Sequence, residues 1–600
     1  MAGRSRVPLV VAVVVGIVAV VAVRAATQPS KPSSSGSSSA PVPHGCTMLR
    51  VAASSEKAAL LQVIADDYAK DDGHADGHCA RVVVSTKASG GATTALARGW
   101  NESVDGPRPD VWSPASTSWT TLLRQQTASH DLPDLVGDAK PPTIARTPLV
   151  IAMPKPMAQT LGWPAKPIGW SDVLALAKDP RGWQRYGKPY GAFKLGKTNP
   201  NFSTSGLNAT IGAYFAATQR SSDLTLKDLA DPKVLAYVQG VESAVVHYGD
   251  TTLTFLANLQ KADDRGQGLS YVSAVTVEEK SVWDYNQGNP TGDPKTLGQH
   301  AKPRTPLVAI YPKEGTLLSD NPFVTLNADW VTPAKRAVAA DFLAYVQAPK
   351  AQKRFTDAAF RDYTGRPGPN INQGQGLLPD QPKAIISAPA PAVLAAVKDS
   401  WEHLRKRARV LLVLDISGSM GDAVGSAGAT KLDLAKKAAA TAVGELAPDD
   451  LLSLWVFSTQ QDGQKPYREL VPFGPARTRL AQVKAQIADL QPGGGTGLYA
   501  TVRAASAAMT ASYDAARINA IVVLTDGRNE FPADNNLASL TSVLDVEDAD
   551  HAVRVFPIAY GQDADLAELT RIADASRAAA YDASDPASID KVLTAVLSNF

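Results

Sequence analysis

Val410-Leu411-Leu412-Val413-Leu414-Asp415-Ile416-Ser417-Gly418-Ser419-Met420 runs an unbroken apolar stretch straight into an acid and two serines. Apolar residues without alternation read as a strand buried on both faces, the kind found inside a parallel sheet covered by helices. The acid at its tip then falls at the carboxyl end of the sheet, where open α/β sheets bind ligands. In an extended or loop segment, residues two apart point to the same side. Asp415, Ser417 and Ser419 therefore present three oxygens to one centre. A lone D-x-S-x-S is weak evidence, because average composition produces it in about one chain in ten of this length. Its surroundings supply the specificity.

Those surroundings repeat the pattern. Apolar strands at ARVLLVLDIS, LLSLWVF, NAIVVLTDG and HAVRVFPIAYG alternate with amphipathic helices at KLDLAKKAAATAVGEL, RTRLAQVKAQIADL, LYATVRAASAAMTASY and LAELTRIADAS. This predicts a doubly wound α/β domain over 405–600. Gly493-Gly494-Gly495 precede Thr496 at a helix start, and Leu524-Thr525-Asp526-Gly527 ends another buried strand on an acid. All three loops would open on the same edge of the sheet. Asp415, Ser417, Ser419, Thr496 and Asp526 match, residue for residue, the metal-ion-dependent adhesion site of von Willebrand factor A domains, and Tyr499 after the threonine is similar to the family as well. Hydroxyls with two carboxylates suit a hard cation, Mg²⁺ or another hard divalent ion, which keeps open or water-filled positions. The resemblance implies that a partner protein's exposed Asp or Glu completes the shell.

Upstream, the chain opens strand, helix, strand at CTMLRVAAS, SSEKAALLQVIADDYAKDD and CARVVVST. Similar alternation continues to the long helix AKRAVAADFLAYVQ. Over 46–370 the motifs AASSEKAALLQVIADDY, PDVWSPASTSW, TPLVIAMPK, NFSTSGLNA, SVWDYNQGN and PLVAIYPKEG resemble type II extracytoplasmic solute-binding proteins. The resemblance implies two α/β lobes closing on a small solute. Ser and Gly at helix N-termini expose N–H groups that can hold an anion or a polar ligand. The candidate solute site is therefore Ser54, Ser55, Ser89, Gly90, Gly91, Ser203, Thr204 and Ser205, joined in the resemblance by Trp112, Ser113, Tyr285 and Asn286. Read the other way, these residues are ordinary helix caps around an idle cleft.

The N-terminus departs from both patterns. Val7 to Val23 is apolar throughout, behind Arg4 and Arg6 and ahead of Arg24. Its length lies between a secretory signal and a membrane span. Val23-Arg24-Ala25 is a poor cleavage site, which favours an uncleaved transmembrane anchor over 1–24 and leaves secretion after cleavage as the alternative. The flanking arginines keep the start of the chain cytoplasmic and the bulk outside. Residues 25–45 are a Ser/Pro-rich tether to the membrane. Cys46 and Cys79 head apolar runs that read as neighbouring parallel strands, so an oxidising exterior would let them pair; the alternative is two buried thiols. Residues 371–404 include LLPDQPKAIISAPAPAV, a Pro-rich linker or docked connection.

Charge adds an exclusion. Lys and Arg number 60 against 58 acids in 600 residues, which argues against a nucleic-acid partner. Gly191 to Thr198 satisfies G-x-x-x-x-G-K-T on paper, but Pro189 and Pro200 flank it and no helix follows at once, so nucleotide is not expected. Asp72, His74, Asp76, His78 and Cys79 read as a solvated turn rather than a metal site. No catalytic constellation is visible, and an enzyme is not expected. The tandem resembles membrane-anchored actinobacterial proteins, which implies an adhesion or binding protein. In the alternative the body delivers a solute to a membrane transporter and the A domain organises the assembly.

Overall fold

A computed structural model describes residues 45–130, 132–137, 139–249, 251–425, 428–546, 551–597 and 599–600. The segment read as an anchor, 1–24, and nearly all of the tether lie outside them. No helix among the described residues is long and apolar enough to cross a membrane.

The chain begins with β1 (Thr47–Ala53), β2 (His74–Ala75), β3 (His78–Thr86) and β4 (Val111–Ser113). It crosses to β5 (Thr147–Pro154), β6 (Leu195–Thr198), β7 (Val245–Gly249), β8 (Ala274–Glu278), β9 (Leu307–Ile310) and β10 (Leu318–Ser319), then returns with β11 (Val324–Thr325). Two sheets result, ordered β11-β4-β1-β3-β2 and β10-β5-β8-β6-β7 with β9 beside β5. Each is the centre of one lobe. β1 and β3 run parallel with Thr47 opposite Ala80. That register brings Cys46 and Cys79 to the same end, and they form a disulfide with Cα atoms 4.6 Å apart.

The third sheet uses β12 (Arg407–Asp415), β13 (Leu451–Asp462), β14 (Lys465–Pro475), β15 (Arg517–Thr525), β16 (Arg554–Tyr560) and β17 (Tyr581–Ala583). Its order is β14-β13-β12-β15-β16-β17. All pairs are parallel except the β13–β14 hairpin. β12 is buried on both faces: Val410, Leu412 and Leu414 join one apolar cluster, Leu411 and Val413 another. β14 escaped the sequence reading because it is an edge strand with many exposed positions and a proline near each end.

The stretch read as a linker, 371–404, contains the helix Pro391–Leu404. Its Val393, Leu394 and Val397 pack in one cluster with Trp119 of the first lobe and Leu207 and Val238 of the second. Further along, Trp401 meets Tyr248 edge-on at 5.2 Å and donates from its indole to Glu242 at 3.3 Å. The helix stops at Arg405, whose guanidinium pairs with buried Asp450 at 2.5 Å. Asp450 also accepts from the Ala408 and Ala447 amides, both at 2.8 Å. The third sheet thus starts from a fixed point. A second apolar cluster runs from Leu149 and Leu195 of the second lobe through Trp401 to Ala408 and Phe600.

The phosphate-loop look-alike is built differently from a phosphate loop. Leu195–Thr198 is strand β6, and the next helix starts only at Thr204. Lys197 is buried, paired with Glu242 and donating to Thr210 Oγ1 at 2.8 Å. His74 to Cys79 form the β2–β3 hairpin, with Cys79 held in the disulfide.

Candidate functional site

The three loops predicted to converge do so, stitched by backbone hydrogen bonds. Gly418 N donates to Gly494 O at 2.7 Å, Gly493 N to Ile416 O at 2.8 Å and Glu530 N to Thr496 O at 2.7 Å. Gly494 has φ +80°, and a Cβ there would stand 3.0 Å from Thr459 Oγ1. Only glycine fits both conditions comfortably.

Inside this frame the side-chain oxygens gather. Ser417 Oγ lies 3.2 Å from Ser419 Oγ, and Ser419 Oγ donates to Asp526 Oδ1 at 2.7 Å. Asp415 Oδ1 accepts from Ser417 N at 2.7 Å, and its Oδ2 accepts from Thr525 Oγ1 at 2.6 Å. Thr496 Oγ1 stands 2.9 Å from where a Cβ on Gly527, the residue after Asp526, would be. Neighbouring ligands at about 2.1 Å from Mg²⁺ stand about 3 Å apart. The spacing and the oxygen-only donors fit a hard divalent ion. Asp415, Ser417, Thr496 and Asp526 are buried, while Ser419 is half-buried and Gly418 exposed, so the cup opens on one side.

Burial pushes the Asp415 carboxyl up to about 7; hydrogen bonds from Thr525 and Ser417 oppose this and the charge of Asp526 adds to it. Such a pair of acids wants a cation. One is supplied from within: Lys431 donates to Asp526 Oδ2 at 2.9 Å and to Asp422 Oδ2 at 3.3 Å. Sequence reading missed Lys431 and Thr525. Thr525 stands beside the acid in LTDG, and Lys431 opens the helix Lys431–Ala442 on the ligand edge of the sheet. A groove of about 580 Å³ lies next to the cup, lined by Ile416, Gly493 and Gly494 together with Arg468 and Asp489.

The cleft residues fall into two groups. Ser89 and Gly90 of the first lobe press directly on the second. Gly90 N donates to Phe202 O at 3.0 Å, Thr204 Oγ1 to Ser89 Oγ at 3.4 Å and Trp119 Nε1 to Thr204 Oγ1 at 2.8 Å. Ser54 N donates to Ser113 O at 3.0 Å, and Ser113 Oγ to Pro322 O at 2.8 Å. Ser203, Ser205 and Thr198 share hydroxyl bonds of 2.8–3.0 Å. Ser55 lines what remains of the cleft, and Gly91 has open space beside it. Trp112, in contrast, lies in the core under Trp119. Tyr285 is packed with Val150 and Phe255. Asn286 is held by Leu307 O at 2.8 Å and Gln375 O at 3.0 Å. These two sit at the far end of their helix, Glu279–Asn286, because a helix directs only its first turn into a cleft beyond the strand it follows.

Two family patterns cover this architecture. Bacterial extracellular solute-binding protein matches residues 49–361, and von Willebrand factor type A domain matches residues 410–595. The chain belongs to the bacterial extracellular solute-binding proteins. It adds to their two-lobed body a C-terminal von Willebrand factor type A domain. A relative in Mycobacterium tuberculosis (strain ATCC 25618 / H37Rv), described as an uncharacterized protein, is 22% identical over 499 residues. The match covers 80% of this chain and 66% of that relative, just short of two thirds of its length. Among solved structures, the periplasmic binding protein AfuA from Actinobacillus pleuropneumoniae covers 60% of this chain and 99% of its own, at 13% identity and TM-score 0.39. A von Willebrand factor type A protein from Catenulispora acidiphila covers 32% of this chain and 42% of its own, at 22% identity and TM-score 0.27. In this solute-binding protein, the cleft and the oxygen cup lie on separate sheets joined through the helix Pro391–Leu404.

Proposed function

We propose that the chain is a membrane-anchored extracytoplasmic binding protein whose von Willebrand factor type A domain grips a partner protein's Asp or Glu through Mg²⁺. The observation carrying this is the cup itself. Asp415, Ser417, Ser419, Thr496 and Asp526 stand on three loops tied by backbone hydrogen bonds, the side-chain oxygens of Ser417, Ser419 and Asp526 follow one another at 3.2 and 2.7 Å, and the exposed Gly418 leaves one side open. Mg²⁺ tolerates such partial protein cages, and an open position takes a carboxylate. The deciding experiment is a pull-down from cell envelope with the full chain in Mg²⁺, in EDTA, and with Asp415→Ala. Retention of a protein only by the wild type with metal supports the reading; identical retention in all three moves the function to the two-lobed body.

The second reading is solute delivery to a membrane transporter, favoured by the family of the body and by its lobes being drawn together. Tight solute binding accompanied by a change in compactness on small-angle scattering would support it.

A further inference from the structure

The helix Pro391–Leu404 lies across both lobes rather than beside one. It rests against the helix Thr117–Ser129 of the first lobe and against the helices Thr204–Thr218 and Pro232–Glu242 of the second. The lobes touch directly next to it. Gly90 N of the first donates to Phe202 O of the second, Trp119 Nε1 donates to Thr204 Oγ1, and a Cβ on Gly90 would collide with Asn201 O. The cavity between them, edged by Ser55, Ser89 and Thr204, measures only about 10 Å³. A solute needs far more room, so the lobes must part before one enters.

Its ties to the two lobes differ in kind. Towards the second lobe they are polar. Just ahead of the helix, Ile386 N donates to Thr316 O at 2.8 Å and Ser387 N to Ser221 O at 3.3 Å. Within it, Ser400 Oγ meets Tyr214 Oη at 2.5 Å, Glu402 accepts from Asn201 Nδ2 at 2.5 Å, and Trp401 donates to Glu242. Towards the first lobe the contact is apolar. Val393, Leu394 and Val397 share a buried cluster with Trp119, and the Lys398 ammonium stands 5.8 Å from the centre of that indole ring. Hydrogen bonds fix a geometry, whereas apolar packing is non-directional and re-forms whenever the two surfaces meet. The helix therefore travels with the second lobe, and its apolar face grips the first.

We infer that the helix Pro391–Leu404 is a strap that holds the two lobes shut by its own packing, so that the cleft opens only as Trp119 leaves the strap's apolar face. Opening separates Trp119 from Leu207 and Val238, and a helix packed on all three must give up one side. The side it gives up is the first lobe, where no directional bond has to break beyond those between the lobes themselves. The strap acts on closure itself. It is independent of the grip at the cup and of the chemistry of any solute.

Distance measurement by electron paramagnetic resonance on the full chain tests it, with nitroxides on Thr94→Cys of the first lobe and Lys261→Cys of the second, both exposed positions, and no solute added. With the native strap a single distance should appear. Leu394→Ala combined with Val397→Ala should add a longer one, and in the unlabelled chain hydrogen exchange over the helix Ser89–Ala97 should speed up about tenfold, since exchange reads local opening. Should that double substitution unfold the body, Lys398→Ala, which withdraws only the contact with the Trp119 ring, carries the same comparison. Two distances with the native strap overturn the inference. A single unchanged distance with unchanged exchange in the folded variants overturns it as well.

Discussion

The ammonium of Lys431 lies 2.9 Å from Asp526 Oδ2, on the carboxylate at the tip of β15. It holds part of the charge that a metal would neutralise. Replacing it by the isosteric apolar Lys431→Met removes a competing cation and leaves two buried acids uncompensated. Mg²⁺ affinity should rise about tenfold, by the Coulomb attraction a desolvated site restores. The metal-free variant should lose roughly 1–3 kcal/mol of stability, the cost of leaving a buried acceptor without its donor. Titration calorimetry and melts with and without Mg²⁺ read both effects; unchanged affinity would show that Lys431 is only a structural neighbour.

Asp415 takes its hydrogen bonds from Thr525 and from the Ser417 amide, both within the cup. Asp415→Ala should therefore abolish the Mg²⁺-dependent rise in melting temperature while leaving the metal-free protein folded. Undiminished Mg²⁺ binding by that variant would sink the metal assignment.

Glu278 gives a pH signature independent of any solute. Its folded-state pKa, raised by burial to about 8, exceeds the ordinary 4.5, so between those values the folded chain keeps a proton that the unfolded chain has released. Stability from this group is complete below about pH 4.5 and falls as pH rises through the window. Lys57, lowered by burial to about 7, adds an opposing slope only above that pH. Urea melts at pH 5 and pH 7 should show Glu278→Gln gaining on the wild type by roughly 1–3 kcal/mol across the interval. A constant gap would mean that Glu278 is ionised throughout.

Trp401 is 1% exposed and joins the connecting helix to the second lobe. Trp401→Ala should cost about 3–5 kcal/mol, the range for a large ring removed from a core. Hydrogen exchange should rise in both Pro391–Leu404 and Arg407–Asp415. Faster exchange confined to the helix would argue that β12 is anchored by Arg405 and Asp450 alone.

Continuous apolar strands made β12, β15 and β16 legible, because a strand buried on both faces leaves few other readings for VLLVLD or IVVLTD. The positions of Asp415 and Asp526 at the tips of β12 and β15 were legible with them, since a strand tip fixes where its next residues go. The disulfide was legible for the same reason, through the parallel pairing of β1 and β3. Tyr285 and Asn286 stand at the far end of their helix, a position their motif alone does not give, since a motif has no direction until the strand before it is placed. Lys431, Glu278 and the groove beside Arg468 were invisible because each depends on segments distant in sequence, Lys431 on Asp526 and Glu278 on the packing that buries it. The helix Pro391–Leu404 was hidden behind prolines that mark its start rather than a break, Pro391 standing at its first position.

That helix touches Trp119 in one lobe and Val238 in the other before delivering the chain to β12, whose last residue is Asp415. Any coupling carried along this path must be reciprocal. Whatever factor an opened cleft imposes on affinity at the cup, occupancy of the cup must impose on the cleft. Strain applied where the lobes meet this helix is thus delivered to the tip of β12, and strain at that tip is delivered back to the lobes.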